Sequence, residues 1–78
     1  MPRYYFHVRD GERLMKDPEG TELPSVMLAR EEAILAAREI LAGKMKRGEL
    51  VDGQQFEIYD SWGNKLITVP FRLALRLD

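Results

Sequence analysis

Proton transfer near neutral pH is histidine chemistry, and the chain has a single histidine, His7. A hydrolytic triad would need a serine and a carboxylate brought to that ring. The serines are Ser25 and Ser61. Ser25 follows a proline and reads as a helix cap, and Ser61 lies in a turn. Neither stands in a G-x-S-x-G context. Metal chemistry is equally unsupported, because H-x-x-x-H and D-x-D-x-D-G spacings are absent. The Asp10-Gly11 and Asp52-Gly53 pairs are explained by turns. With no cysteine, disulfides, thiolate zinc sites and cysteine nucleophiles are excluded. The expectation is a protein that is not an enzyme, with no catalytic, cofactor or metal residues.

Binding chemistry is better represented. Arg3-Tyr4-Tyr5-Phe6-His7-Val8-Arg9 reads as a strand closed by Asp10-Gly11. Alternation puts Tyr4, Phe6 and Val8 on one face and Tyr5, His7 and Arg9 on the other. The first set can build a core. The second, continued by Arg3, could form a basic-aromatic strip of the kind that stacks single-stranded bases. Against this, the net charge is −1, no glycine-aromatic RNA-binding signature is present, and Lys44–Arg47 suits a helix terminus.

These side chains must be positioned by a small fold. Seventy-eight residues make one domain with little room for a cofactor cleft. A composition 45% hydrophobic and 32% charged is that of a folded, soluble chain. No run approaches the roughly 20 apolar residues of a membrane span, and the N-terminus has no signal-like apolar region. The default location is cytoplasmic, with no membrane partner.

The first hairpin admits two registers. A two-residue Asp10-Gly11 loop would pair Phe6 with Met15 and Val8 with Arg13, leaving Leu14 on the His7 face. A three-residue loop with left-handed Gly11 would pair Phe6 with Leu14 and Tyr4 with Lys16, and core consistency favours it. An echo follows: Asp17-x-x-Gly20-x-x-Leu23 and Asp60-x-x-Gly63-x-x-Leu66 share D-x-x-G-x-x-L, which is type I turn chemistry. Ser25 caps a helix reaching about Lys46, with Gly48 as its stop. Its apolar stripe is Val26, Ala29, Ala33, Ala36, Ala37, Ile40 and Leu41, with Leu28 and Leu35 outside it. Glu49–Gly53 is a loop. A second hairpin runs Phe56–Asp60, turn Ser61–Asn64, then Lys65–Val69, with Pro70 ending or edging the strand. Phe71–Asp78 fits either strand or helix. The fold class is α+β, β-β-α-β-β: an antiparallel sheet with one long helix packed on one face.

The combination of Pro2-Arg3-Tyr4-Tyr5-Phe6-His7 with Asp10-Gly11, then Asp17-x-x-Gly20-Thr21-Glu22-Leu23-Pro24, then Val69-Pro70-Phe71, resembles a known family. Its members are short alphaproteobacterial proteins of the rhizobial type, opening with a PRYFFH-like strand and catalogued as a domain of unknown function. Two departures stand out: Ser25 where aspartate is usual, and Trp62 at a turn tip that is usually small or acidic. The resemblance implies a bacterial origin and an α+β fold, and it carries no catalytic residue or cofactor.

Function is expected to lie in protein interaction. If Phe56 and Ile58 face the helix, Glu57, Tyr59, Ile67 and Val69 would join Tyr5, His7 and Met15 on the far face. The last strand's phase is open, since Leu66/Thr68 could instead point outward. Either way, one helix cannot cover every apolar side chain, and a wide apolar patch marks an interface. The candidate interface is Tyr5, His7, Arg9, Met15, Leu28, Leu35 and Trp62, serving a protein partner or self-association. A single-stranded nucleic-acid accessory protein using Tyr5, His7 and Arg9 is the alternative.

Overall fold

A computed structural model describes residues 1–49 and 53–75. Among these residues, five strands form one antiparallel sheet: β1 Arg3–Asp10, β2 Arg13–Met15, β3 Thr21–Glu22, β4 Gln54–Tyr59 and β5 Lys65–Pro70. A single helix, α1 Val26–Lys46, separates β3 from β4, and a 3₁₀ turn at Phe71–Leu75 follows β5. The strand order is β2-β1-β4-β5, with β3 on the same edge of β1 as β2. The expected α+β class holds, with the short β3 added. Of the expected features, the Asp52 end of the Asp52-Gly53 turn and the tail beyond Leu75 lie outside the described residues.

The core is built on the face that β1 shares with β4 and β5. Tyr4, Phe56, Ile58 and Val69 are buried there, with Phe6, Val8 and Ile67 packed against them. Ladder pairs place Phe56 opposite Val69 and Ile58 opposite Ile67, which settles the phase of β5. Ile67 and Val69 therefore point inward and do not join the far face. Leu66 is the extra residue of a bulge beside Ile58 and Tyr59, and it is exposed.

The helix lies on this core through Ala29, Ala33, Ala37 and Leu41, all buried. Their i, i+4 row has almost no side-chain volume in its first three members, so the helix backbone approaches the sheet closely. Ile40, expected on the stripe, is exposed, and Ile34 packs against the core instead. The reason is the 3₁₀ turn, which buries Phe71 and Ala74 and accepts a hydrogen bond from Arg38 Nε at the Ala74 carbonyl, 3.1 Å. It covers the Arg38 side of the helix, where Ile34 lies one turn earlier, and leaves the Ile40 flank uncovered. Phe71–Leu75 is thus helical, folded onto the helix side and not onto the far face.

Both helix ends follow their sequence signals. Ser25 Oγ accepts from Leu28 N–H, and Gly48 and Glu49 N–H donate back to the Met45 and Lys44 carbonyls in a Schellman closure. No helix among the described residues is long and apolar enough to cross a membrane.

The first hairpin takes neither expected register. Val8 pairs with Met15, Arg9 with Leu14 and Asp10 with Arg13, so the loop is Gly11-Glu12. Gly11 sits at the first loop position with φ +63°, the requirement of a type II′ turn, whose twist matches the flanking strands. Leu14 therefore lies on Arg9's face at the sheet edge. The core does not need it, because β4 rather than β2 supplies Phe6's partners: its ring meets Phe56 edge-on at 6.1 Å.

Candidate functional site

The sheet face away from the helix is composed by two registers. β1 and β4 set Tyr5 opposite Tyr59, His7 opposite Glu57 and Arg9 opposite Gln55, and β5 adds Thr68 beside Glu57. Alternation places all of these on the open face. The Tyr5 and His7 rings lie 6.3 Å apart, and the His7 and Tyr59 rings 4.8 Å apart. Three rings therefore form one contiguous surface across two strands, at spacings typical of interacting aromatic pairs.

His7 is held from the sheet edge. The Asp17 backbone N–H donates to His7 Nδ1 at 3.0 Å. A ring that accepts at Nδ1 carries its hydrogen on Nε2 when neutral, so the tautomer is set by the backbone. The Asp17 carboxylate works in the opposite direction. Its Oδ2 accepts Phe6 N–H at 3.2 Å, and its Oδ1 accepts Glu19 and Gly20 N–H at 3.3 and 3.2 Å. This fills a gap: β2 pairs with Val8–Asp10 and β3 with Arg3–Tyr4, leaving the middle of the β1 edge without a strand. Asp17 satisfies backbone there that would otherwise be unpaired.

Glu57 is the buried charge of the site, with 5% of its side chain exposed although no element among the described residues covers this face. Its shield is made of neighbours. Arg9 Nε donates at 3.0 Å and Gln55 Nε2 at 3.2 Å, with Tyr59 Oη at 3.5 Å. The Arg9 hydrogen bond, aided by Gln55 and by the positive charges of Arg9 and Lys65, holds the Glu57 carboxyl below its ordinary range against the opposing effect of burial. The same bond raises the Arg9 guanidinium. The result is a polar floor, fully bonded, beside the aromatic surface.

The candidate residues are thus divided among four places. Tyr5, His7 and Arg9 come together on the open face, joined by Tyr59 and Glu57 as alternation implied. Met15 does not join them: it pairs with Val8 and shares the helix-side face at the sheet edge. The Gly11-Glu12 loop moves β2 by a register that the Asp-Gly signal did not announce. Leu28 and Leu35 lie on the outer side of the helix, 40% and 54% exposed, and Trp62 stands at the β4–β5 turn tip, 85% exposed. Asp17 was legible only as a turn residue, and its hold on Phe6 and His7 depends on a gap between strands that no local pattern records.

Neither serine is placed against His7. Ser25 caps the helix, and Ser61 Oγ reaches the Arg3 carbonyl at 3.5 Å. No group of three or more His, Asp and Glu is placed to hold a metal ion among the described residues. A cavity of about 200 Å³ between the helix and the β1 edge, lined by Phe6, Asp17, Glu32, Ala36 and Phe56, lies on the other side of the sheet. It is smaller than the roughly 300 Å³ at which small-molecule sites begin.

The profile of a domain of unknown function, DUF6894, matches residues 3–72. No curated protein matches the chain, and no solved structure does.

Proposed function

We propose that this chain, a member of the DUF6894 family, is a non-enzymatic protein-interaction module whose contact surface is the helix-free face of its sheet. The observation that carries this reading is the joined Tyr5, His7 and Tyr59 ring surface, set beside the partly exposed Arg9 and the buried Glu57 it bonds to. Aromatic residues and arginine are the types enriched where protein interfaces concentrate binding energy. His7 and Arg9 are each fixed by a hydrogen bond of 3.0 Å, which lowers the entropy lost on binding. The setting that the sequence resemblance suggests is an alphaproteobacterium, and a cytoplasmic location is taken as the default. The helix's outer Leu28 and Leu35 offer a second, separate surface for self-association.

The test is selective loss of binding. A tagged chain should recover a protein from lysate of its own source organism, and Tyr5→Ala with Tyr59→Ala should abolish that recovery while leaving the fold cooperative. Leu35→Ala should not affect it. Recovery unchanged by the paired tyrosine substitutions removes this face from the proposal.

A second reading is binding of single-stranded nucleic acid. The specific observation behind it is the adjacency of the rings, since a 4.8 Å pair next to Arg9 suits base stacking with a cation nearby. Anisotropy of a labelled oligonucleotide at several salt concentrations decides it. Binding that weakens steeply with salt and is lost in Tyr5→Ala with Arg9→Ala supports it, and no binding at low salt ends it.

A further inference from the structure

We infer that His7 is a proton-operated latch, which couples the ring surface of the proposed interface to the loop that plugs the β1 edge. The inference rests on the interface reading for its purpose, but its mechanism stands on the free protein. His7 Nδ1 accepts the Asp17 N–H at 3.0 Å. An imidazolium has no acceptor, so protonation turns this contact into two opposed N–H groups. The bond must then break, by rotation of the ring or by withdrawal of the loop.

Either movement is transmitted. The loop residue that bonds the ring also closes the gap between β2 and β3, through its carboxylate on Phe6 N–H. Withdrawal would unplug the edge of β1. Rotation would disturb the ring, which lies between Tyr5 and Tyr59.

Charged and titratable groups face the ring from both strands and from the loop. On β1 the neighbours are Tyr5 and Arg9, and on β4 they are Glu57 and Tyr59. Glu57 is already engaged by Arg9 and Gln55. On the loop, the Asp17 carboxylate already accepts three backbone N–H groups. An imidazolium that turned to either carboxylate would still give up the Nδ1 contact with the Asp17 N–H.

The experiment is an NMR titration of the isolated chain from about pH 8 to about pH 5, the range in which histidine side chains commonly change charge. It follows the His7 ring signals, the Asp17 amide and the hydrogen exchange of Phe6. The expected result is one shared midpoint for ring and amide, with protection at Phe6 lost severalfold on the acid side. In His7→Gln, whose side-chain oxygen can accept without titrating, the step should vanish. In Asp17→Asn, which keeps the backbone donor but removes the carboxylate, the step should persist. An Asp17 amide that stays unchanged while the ring titrates overturns the latch, as does a ring that does not titrate in this range. Loss of the step in Asp17→Asn overturns it too, since the coupling would then run through the carboxylate. These outcomes are read without any partner, so they are distinct from failure of the interface reading.

Discussion

Arg9 bonds to Glu57 and not to Gln55, its direct neighbour across the β1–β4 ladder. The guanidinium reaches diagonally to the carboxylate that stands opposite His7, at 3.0 Å. Gln55 then donates to the same carboxylate from its own strand. The charge of Glu57 is thereby buried on an uncovered sheet face and shared among side chains of two strands. This relationship joins the stability of the sheet to the chemistry of its open face.

Removing one partner should therefore cost unequally. In Arg9→Ala, Glu57 keeps only Gln55 and the distant Tyr59 hydroxyl, and a buried carboxylate loses its main donor. A loss of stability is expected in urea unfolding at neutral pH. Glu57→Gln removes the charge with its burial penalty and leaves Arg9, one-third exposed, free to find water. Its loss should be smaller, about 1 kcal/mol. Equal losses, or a larger one for Glu57→Gln, would contradict the picture of Glu57 as the desolvated partner.

The same pair fixes a direction for acid stability. The folded Glu57 carboxyl titrates below its unfolded value, which is about 4.3. Its stabilisation is complete above that unfolded value and is lost as pH falls through the lower folded one. Asp60, lowered chiefly by the Asn64 backbone N–H, and Glu49, lowered chiefly by the Arg47 hydrogen bond, act with the same sign. Denaturation midpoints should thus decline on the acid side of about pH 4.3. Glu57→Gln should make that decline shallower. A decline of unchanged steepness in the variant would show that Glu57 does not contribute to it.

Much of this arrangement was legible in the sequence because it depends on period-two alternation and local caps. Tyr4, Phe6 and Val8 against Tyr5, His7 and Arg9, the Ser25 cap and the two Asp-x-x-Gly turns all follow from neighbours in the chain. In both turns the aspartate Oδ1 accepts following backbone N–H groups, as the echo implied. What failed was long-range or depended on hairpin register. The hairpin loop shifted to Gly11-Glu12, which moved Met15 off the expected face. The phase of β5 was decided by pairing with β4, and the placement of Ile34 and Ile40 by a 3₁₀ turn far along the chain. Local pattern cannot weigh such contacts, since each exchanges one apolar residue for another.

Gly20 is a position where both conformation and space are restrictive. Its φ is +69°, and a Cβ there would stand 2.9 Å from the Tyr4 carbonyl oxygen and 2.9 Å from Arg3 Cγ. The carbonyl belongs to the ladder and cannot yield without disturbing β1. Gly20→Ala should lose about 2–4 kcal/mol, combining left-handed strain with the clash. Gly11 has a similar φ of +63° but nothing within 4 Å, so Gly11→Ala isolates the strain alone at about 1 kcal/mol. Comparable losses at the two positions, measured by thermal or urea unfolding, would show that the close approach at Gly20 carries no weight.

The alanine row of the helix yields the last prediction. Ala33 is fully buried, midway along the row that faces the sheet, and Ile58 on β4 is fully buried as well. Ala33→Leu would insert three further carbons where the helix approaches the strands, forcing the layers apart and straining the 3₁₀ turn packed beside them. A loss of about 1–3 kcal/mol is expected. Ile58→Ala acts in the opposite sense, leaving a void beneath the same row at about 3–4 kcal/mol. Because the two substitutions change volume in opposite directions in one core, part of each loss should be recovered in the double variant if they meet across the interface. Leu35→Ala, on the outer side of the same helix, should stay within about 0.5 kcal/mol of the parent. A large loss at Leu35 in dilute solution would mean that its outer face is already covered by another chain, and sedimentation at the same concentration would show the dimer responsible.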